Sequence, residues 1–135
     1  MSEPIHPLQA MINGMGAAMQ KDRAKTQLTL GRLIEILAAW PPERLIVGIG
    51  GEASYRGYYC DLAFEPSTKP EPVASVLQRC RAAMGQVYEG YKGGDFTMGA
   101  NTPLWIAQWG ACGDKLTGLD TTVDPIMPVT VPDEE

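Results

Sequence analysis

Arg56 stands in the run Ser54-Tyr55-Arg56-Gly57-Tyr58-Tyr59, a guanidinium set among aromatic rings with a glycine beside it. Such a group has room to grip a phosphate through two parallel N–H bonds. The plainer reading of the same run is that Tyr58 and Tyr59 are ordinary strand residues. A second run, Tyr88 to Phe96 (YEGYKGGDF), sets three glycines around Tyr91 and Lys92. Glycine lets the backbone turn sharply and present its amides while one ring and one ammonium project outward. That combination suits a nucleotide: a base stacks on Tyr91 or Phe96, and Lys92 neutralises phosphate. Without a ligand the segment reads as a hairpin loop with Phe96 in the core. In a third run, Asn101 to Gly110 (NTPLWIAQWG), alternation sends Leu104, Ile106 and Gln108 to one face and Trp105, Ala107 and Trp109 to the other. Both faces carry apolar bulk, so the face without helices needs a ligand or a subunit, with Trp105 and Trp109 the residues to meet it.

Catalytic constellations are missing. His6 is the only histidine and lies near the N-terminus, so no histidine dyad or histidine-based metal site is expected. No nucleophile elbow, phosphate loop or zinc-protease motif occurs. Convergence of Asp61, Glu65, Glu89, Asp95 and Asp120 is open, because spacing alone cannot exclude carboxylate pairs. Cys60, Cys80 and Cys112 are odd in number and widely spaced, which argues against a disulfide framework and a zinc knuckle. The expectation is a binder, not an enzyme, with no metal and no cofactor.

The elements that must hold these runs follow from periodicity. Thr29 caps a helix with Leu30, Leu33, Ile34, Leu37 and Trp40 on one face, ended by Pro41 and Pro42. Pro72 opens another, carrying Val73, Val76, Leu77, Cys80 and Met84, and Gly85 closes it. Leu45 to Ile49 and Tyr55 to Phe64, joined by a turn at Gly50 and Gly51, suggest an antiparallel pair. Val87 to Tyr88, Phe96 to Met98, Leu104 to Trp109 and Lys115 to Leu119 read as a meander. The fold class is therefore α+β, a single domain whose antiparallel sheet carries two helices, plus an N-terminal oligomerising helix within residues 1–25. That helix shows the stripe Leu8, Met11, Ile12, Met15 and Met19 but is weakened by Gly14 and Gly16. Its stability must come from packing, and another subunit is the expected partner, with the chain's own domain as the alternative. The domain is bounded at residue 123, and the acidic, proline-rich tail 124–135 is expected to fray.

At 135 residues with 44% apolar content, the chain supports one core. The net charge of −5 is uneven: Asp124, Asp133, Glu134 and Glu135 carry four negatives, leaving −1 elsewhere. The eleven Lys and Arg are scattered, which excludes long nucleic acid but not a small anion. No apolar run approaches the roughly 20 residues that span a bilayer, and the start lacks a secretory signal, so a cytoplasmic location is expected.

Taken in order, LTLGRLIEIL, SYRGYYCDLAFEP, GYKGGDF and NTPLWIAQWG after a short N-terminal helix resemble the phage Thoeris anti-defence proteins of the first type. The resemblance covers Thr26 to Leu119, with SYRGYY and GYKGGDF its most specific parts. It implies a sponge in an infected bacterial host that sequesters a cyclic ADP-ribose isomer without cleaving it. It also implies capture of CBASS cyclic oligonucleotides at a separate site, and assembly into homo-oligomers, hexamers built from dimers. Carried over by motif, the signal pocket uses Arg56, Tyr91, Phe96 and Asn101, to which chemistry adds Lys92 and Trp105. Arg23, Lys25 and Arg32 are candidates for the second site because they flank the oligomerising helix. The rival classes are an enzyme that cleaves such a nucleotide and a small phage factor that binds protein.

Overall fold

Thr29 starts the first helix. Its backbone is extended (φ −102°, ψ 161°) and its Oγ1 accepts from the Arg32 N–H at 3.3 Å, so α1 runs Leu30–Ala38 as the cap predicts. The computed structural model describes residues 24–55, 58, 60–90, 93–108 and 112–132. Residues 24–26 are helical, and the rest of the expected N-terminal helix lies outside the described residues. Leu30, Leu33 and Leu37 are fully buried, one turn apart along the face the spacing marks. Removing each from water is worth roughly 1.5–3 kcal/mol. The second helix, α2 (Val73–Ala83), follows Pro72 and buries Val73, Val76, Cys80 and Ala83. Gly85, at φ +81°, turns the chain out of it and donates its N–H to the Met98 carbonyl at 2.7 Å.

Among the described residues there are nine strands: β1 Leu45–Ile46, β2 Glu52–Ser54, β3 Leu62–Phe64, β4 Glu71–Pro72, β5 Val87–Glu89, β6 Asp95–Thr97, β7 Leu104–Gln108, β8 Cys112–Asp120 and β9 Met127–Pro132. Five of them form the main sheet, in the order β2-β3-β7-β8-β9. Its β3–β7 pair is parallel and the others antiparallel. The segment between β3 and β7 contains α2, the crossover that a parallel pair requires. Two small pairs, β1–β4 and β5–β6, stand apart from it. The fold is thus α+β in one domain, with mixed and antiparallel sheets and two main helices.

Four expectations need correction. Leu45–Ile49 does not pair with Tyr55–Phe64: the strand stops at Ile46, because Gly48 turns the chain at φ +91° against Pro128, and β1 pairs with β4 instead. The second strand of the pair starts only at Leu62, since Tyr55 N–H donates to Asp61 O (3.0 Å) and Asp61 N–H donates back to Tyr58 O (2.9 Å) in place of strand pairing. The later strands are not one meander, as β5 and β6 form their own hairpin and β7 returns beside β3. Nor is the tail all loose: Ile126 is buried in the core and Met127–Pro132 is the sheet's last strand, paired with β8 from Asp114 to Asp120. Composition suggested disorder there, but a ladder of backbone bonds to β8 outweighs it.

Main-sheet residues alternate between two cores. Leu62, Phe64, Leu104 and Leu116 face α1 and α2 in the large core. Ala63, Trp105 and Ala107 face the other way, where Tyr55 lies buried with them and Tyr58 packs against them.

Candidate functional site

Trp105 organises the second face. Its indole is wholly buried and stacks on Tyr55 with ring centroids 4.2 Å apart and planes within 11°. Tyr58 adds a third ring, 5.9 Å from Trp105 and 6.3 Å from Tyr55. The indole Nε1–H donates to Asp61 Oδ2 at 2.9 Å, and Cys60 Sγ lies 3.5 Å from Asp61 Oδ1. Asp61 is itself fully buried. A carboxylate removed from water needs such donors, and here it locks the tryptophan ring to the loop that covers it.

This corrects the expected role of Trp105. The second face did need a cover, but Tyr55 and Tyr58 of the same chain supply it, so the indole is the floor beneath the loop and not a surface open to a ligand. Arg56, Gly57 and Tyr59 lie outside the described residues, between loop positions that are fixed by this stack. Tyr58 is half-buried and forms the outer ring of the three.

Gly90, Gly93 and Gly94 of the glycine-rich run lie between the two strands of the β5–β6 hairpin. Gly90 is buried; its N–H donates to Gly94 O at 2.9 Å and its carbonyl accepts from Gly93 N–H at 2.9 Å. Gly93 and Gly94 take φ +95° and +86°, values that L side chains rarely adopt, so both glycines are needed for the turn. Tyr91 and Lys92 lie outside the described residues. Phe96 is half-buried against the main core beside its cross-strand partner Tyr88, the hairpin reading of that residue.

A hydrogen bond joins the two hairpins: the Tyr88 hydroxyl donates to Glu52 Oε1 at 3.4 Å. Burial, then the Glu52 charge and this hydrogen bond, push the phenol up to about 12, so it stays a donor at neutral pH. The strand before the Arg56 loop and the strand before the Tyr91–Lys92 tip are thereby tied side by side.

Asn101 is placed elsewhere. It is exposed on the turn from Gly99 to Thr102, where Thr102 Oγ1 accepts from Gly99 N–H at 2.8 Å, and the turn abuts α1 through Gly31 N–H to Ala100 O (3.0 Å). No described contact brings it to the two loops. Of the second-site candidates, Arg23 lies outside the described residues and Lys25 is exposed. Arg32 is exposed and ion-paired with Glu35 at 2.9 Å, one turn along α1.

Sequence reasoning missed several partners. Asp61 was weighed only among possible paired carboxylates, since nothing in its spacing shows that it meets Trp105, 44 positions on. Arg79 makes a bidentate bond to Glu71 (2.7 and 2.9 Å) and a third to Ile49 O at 2.7 Å, pinning α2 to β4 and to the turn before β2. That pairing holds the Glu71 carboxyl below its ordinary range and raises the guanidinium. An open groove of about 470 Å³ also lies between α1 and α2, lined by Leu37, Trp40, Val73, Leu77, Gln78 and Arg81. It needs both helices at once, which no single stretch of sequence displays.

Among the described residues no group of three or more His, Cys, Asp and Glu is arranged to hold a metal, and no helix is long and apolar enough to cross a membrane. His6 lies outside the described residues. Comparison with known proteins returned no match to a family model, a curated protein or a solved structure.

Proposed function

We propose that this chain is a phage-encoded sponge that binds cyclic ADP-ribose-isomer signals of Thoeris without cleaving them, and takes CBASS cyclic oligonucleotides at a second site. The four motifs that resemble the Thoeris anti-defence proteins give the reading its origin. The observation that carries it further is the Tyr88–Glu52 hydrogen bond, which ties together the two hairpins whose loops hold Arg56, Tyr91 and Lys92. Sequestration asks only for affinity: stacking on aromatic rings and charge-assisted bonds to phosphate in a dehydrated pocket. The stack of Tyr55, Tyr58 and Trp105 supports it by fixing residues on either side of Arg56 in the chain before the ligand arrives, which lowers the entropy cost of binding. A second copy closes the pocket over these loops in the homo-oligomer, and the protein acts in the cytoplasm of the infected host.

Isothermal calorimetry with a cyclic ADP-ribose isomer tests the assignment. Arg56→Ala is expected to weaken binding by about 1.5–3 kcal/mol, the worth of a hydrogen-bonded charged group, which is ten- to a hundredfold or more in Kd. Unchanged affinity in a folded variant removes Arg56 from the site.

A further inference from the structure

The groove between α1 and α2 shares no residue with the stack around Trp105 or with the glycine turn. Its volume of about 470 Å³ lies in the range of small-molecule sites. Leu37 and Val73, both fully buried, form its floor, and the half-buried Trp40 and Leu77 line its walls. The gap exists because both helices place alanine at the rim: Ala38 and Ala74 are exposed and have no bulk with which to fill it. One end of the groove is fixed in advance. Val73 N–H donates to Arg44 O at 2.7 Å and Ala74 N–H to Pro42 O at 3.0 Å, so the start of α2 is tied to the chain that leaves α1. The Arg44 guanidinium lies 4.7 Å from the centre of the Trp40 ring and is itself anchored on the Thr121 and Val123 carbonyls, which holds the indole in place.

The other end carries a charge. Arg81 lines the groove from the last turn of α2. The other described arginines are engaged: Arg32 with Glu35, Arg44 with Trp40 and two carbonyls, and Arg79 with Glu71 and Ile49 O. Arg81 has no partner among the described residues. A cation in the last turn suits the helix dipole, but that role does not call for a guanidinium beside an apolar groove. Val73, Leu77 and Arg81 follow one another at four-residue spacing along one face of α2, which puts Arg81 about 12 Å along the axis from the fixed end.

We infer that this groove binds a linear apolar carboxylate, with its chain along Trp40, Leu37, Val73 and Leu77 and its carboxylate on Arg81. A planar guanidinium takes a carboxylate through two parallel N–H bonds, and the Gln78 amide, also in the lining, offers a further donor. The inference uses none of the motif residues, so it stands or falls apart from the nucleotide reading.

Isothermal calorimetry of the full chain with octanoate, below its micelle concentration, tests it. Octanoate is expected to bind the parent, and 1-octanol, the same chain without the charge, to bind about tenfold or more weakly. Arg81→Met keeps an extended side chain and removes the charge, and is expected to bring octanoate down to the level of octanol. Ala74→Phe fills the gap and is expected to abolish binding of both, with circular dichroism to confirm the fold. Should Ala74→Phe not fold, octanoate against octanol in the parent and in Arg81→Met carries the test alone. Absence of octanoate binding to the parent, or equal affinity in parent and Arg81→Met, overturns the inference. So does a concentration-dependent dimer, seen by light scattering, that Ala74→Phe dissolves, which would give the groove to a second copy.

Discussion

The two faces of the main sheet are filled in different ways. On one, Leu30, Leu33 and Leu37 of α1 and Val73, Val76 and Cys80 of α2 meet Leu62, Phe64, Leu104 and Leu116 in a mostly aliphatic core. On the other, Tyr55 and Tyr58 stack over Trp105, and the buried Asp61 accepts from the indole N–H. Aliphatic packing is non-directional and tolerates exchange of similar shapes. A stack fixed by a hydrogen bond to a buried acid is directional, and loses its geometry when one partner is removed.

The largest effects should come from the two cores. Trp105→Ala is expected to cost about 3–5 kcal/mol and Leu33→Ala about 2–5 kcal/mol in urea unfolding. The contrast lies in what else changes: Trp105→Ala should abolish ligand binding in the folded fraction, whereas Leu33→Ala should lower stability and leave Kd within about twofold. Equal loss of affinity in both would erase the distinction between the faces. Next in size, Asp61→Ala leaves the indole N–H without its acceptor and should cost about 1–3 kcal/mol, while Asp61→Asn, which can still accept, should cost less.

A smaller, pH-dependent effect belongs to the helix side. Arg79 holds the Glu71 carboxyl below its ordinary range, so the stabilisation is complete above the usual carboxylate pKa and fades as pH falls through the lowered one. Glu71→Gln should therefore be less stable than the parent at neutral pH and converge with it in acid, as read by denaturant midpoints. A constant difference at all pH values would show that the pair contributes nothing through charge. The smallest effect concerns thiols: burial pushes Cys80 up to about 12, so alkylation followed by peptide mass spectrometry should modify Cys60 well before Cys80.

Both helices were legible because their signals are local: a Thr29 cap, apolar residues at helical spacing, prolines and Gly85 as stops. The alternation from Leu104 to Ala107 was legible for the same reason. The strand partners were not. Gly48 bends the chain two residues before the glycine pair that sequence favours, and β7 pairs with β3 only because α2 carries the chain back across the sheet. The tail misled through its prolines and acids, although Met127, Val129 and Val131 already alternate as a strand does. At the candidate site, the glycine turn at 90–94 was readable from composition. The covering of Trp105 by Tyr55 and its bond to Asp61 were not, since they are contacts over more than 40 positions that only the fold creates.

Sequestration, as proposed, leaves the ligand unchanged. Loading the purified protein with a cyclic ADP-ribose isomer, denaturing the complex by heat and weighing the released molecule by mass spectrometry addresses that directly. Recovery of the intact cyclic compound in proportion to the protein loaded is the expected result. A linearised or hydrolysed product, formed by the parent and lost in Arg56→Ala, would contradict it.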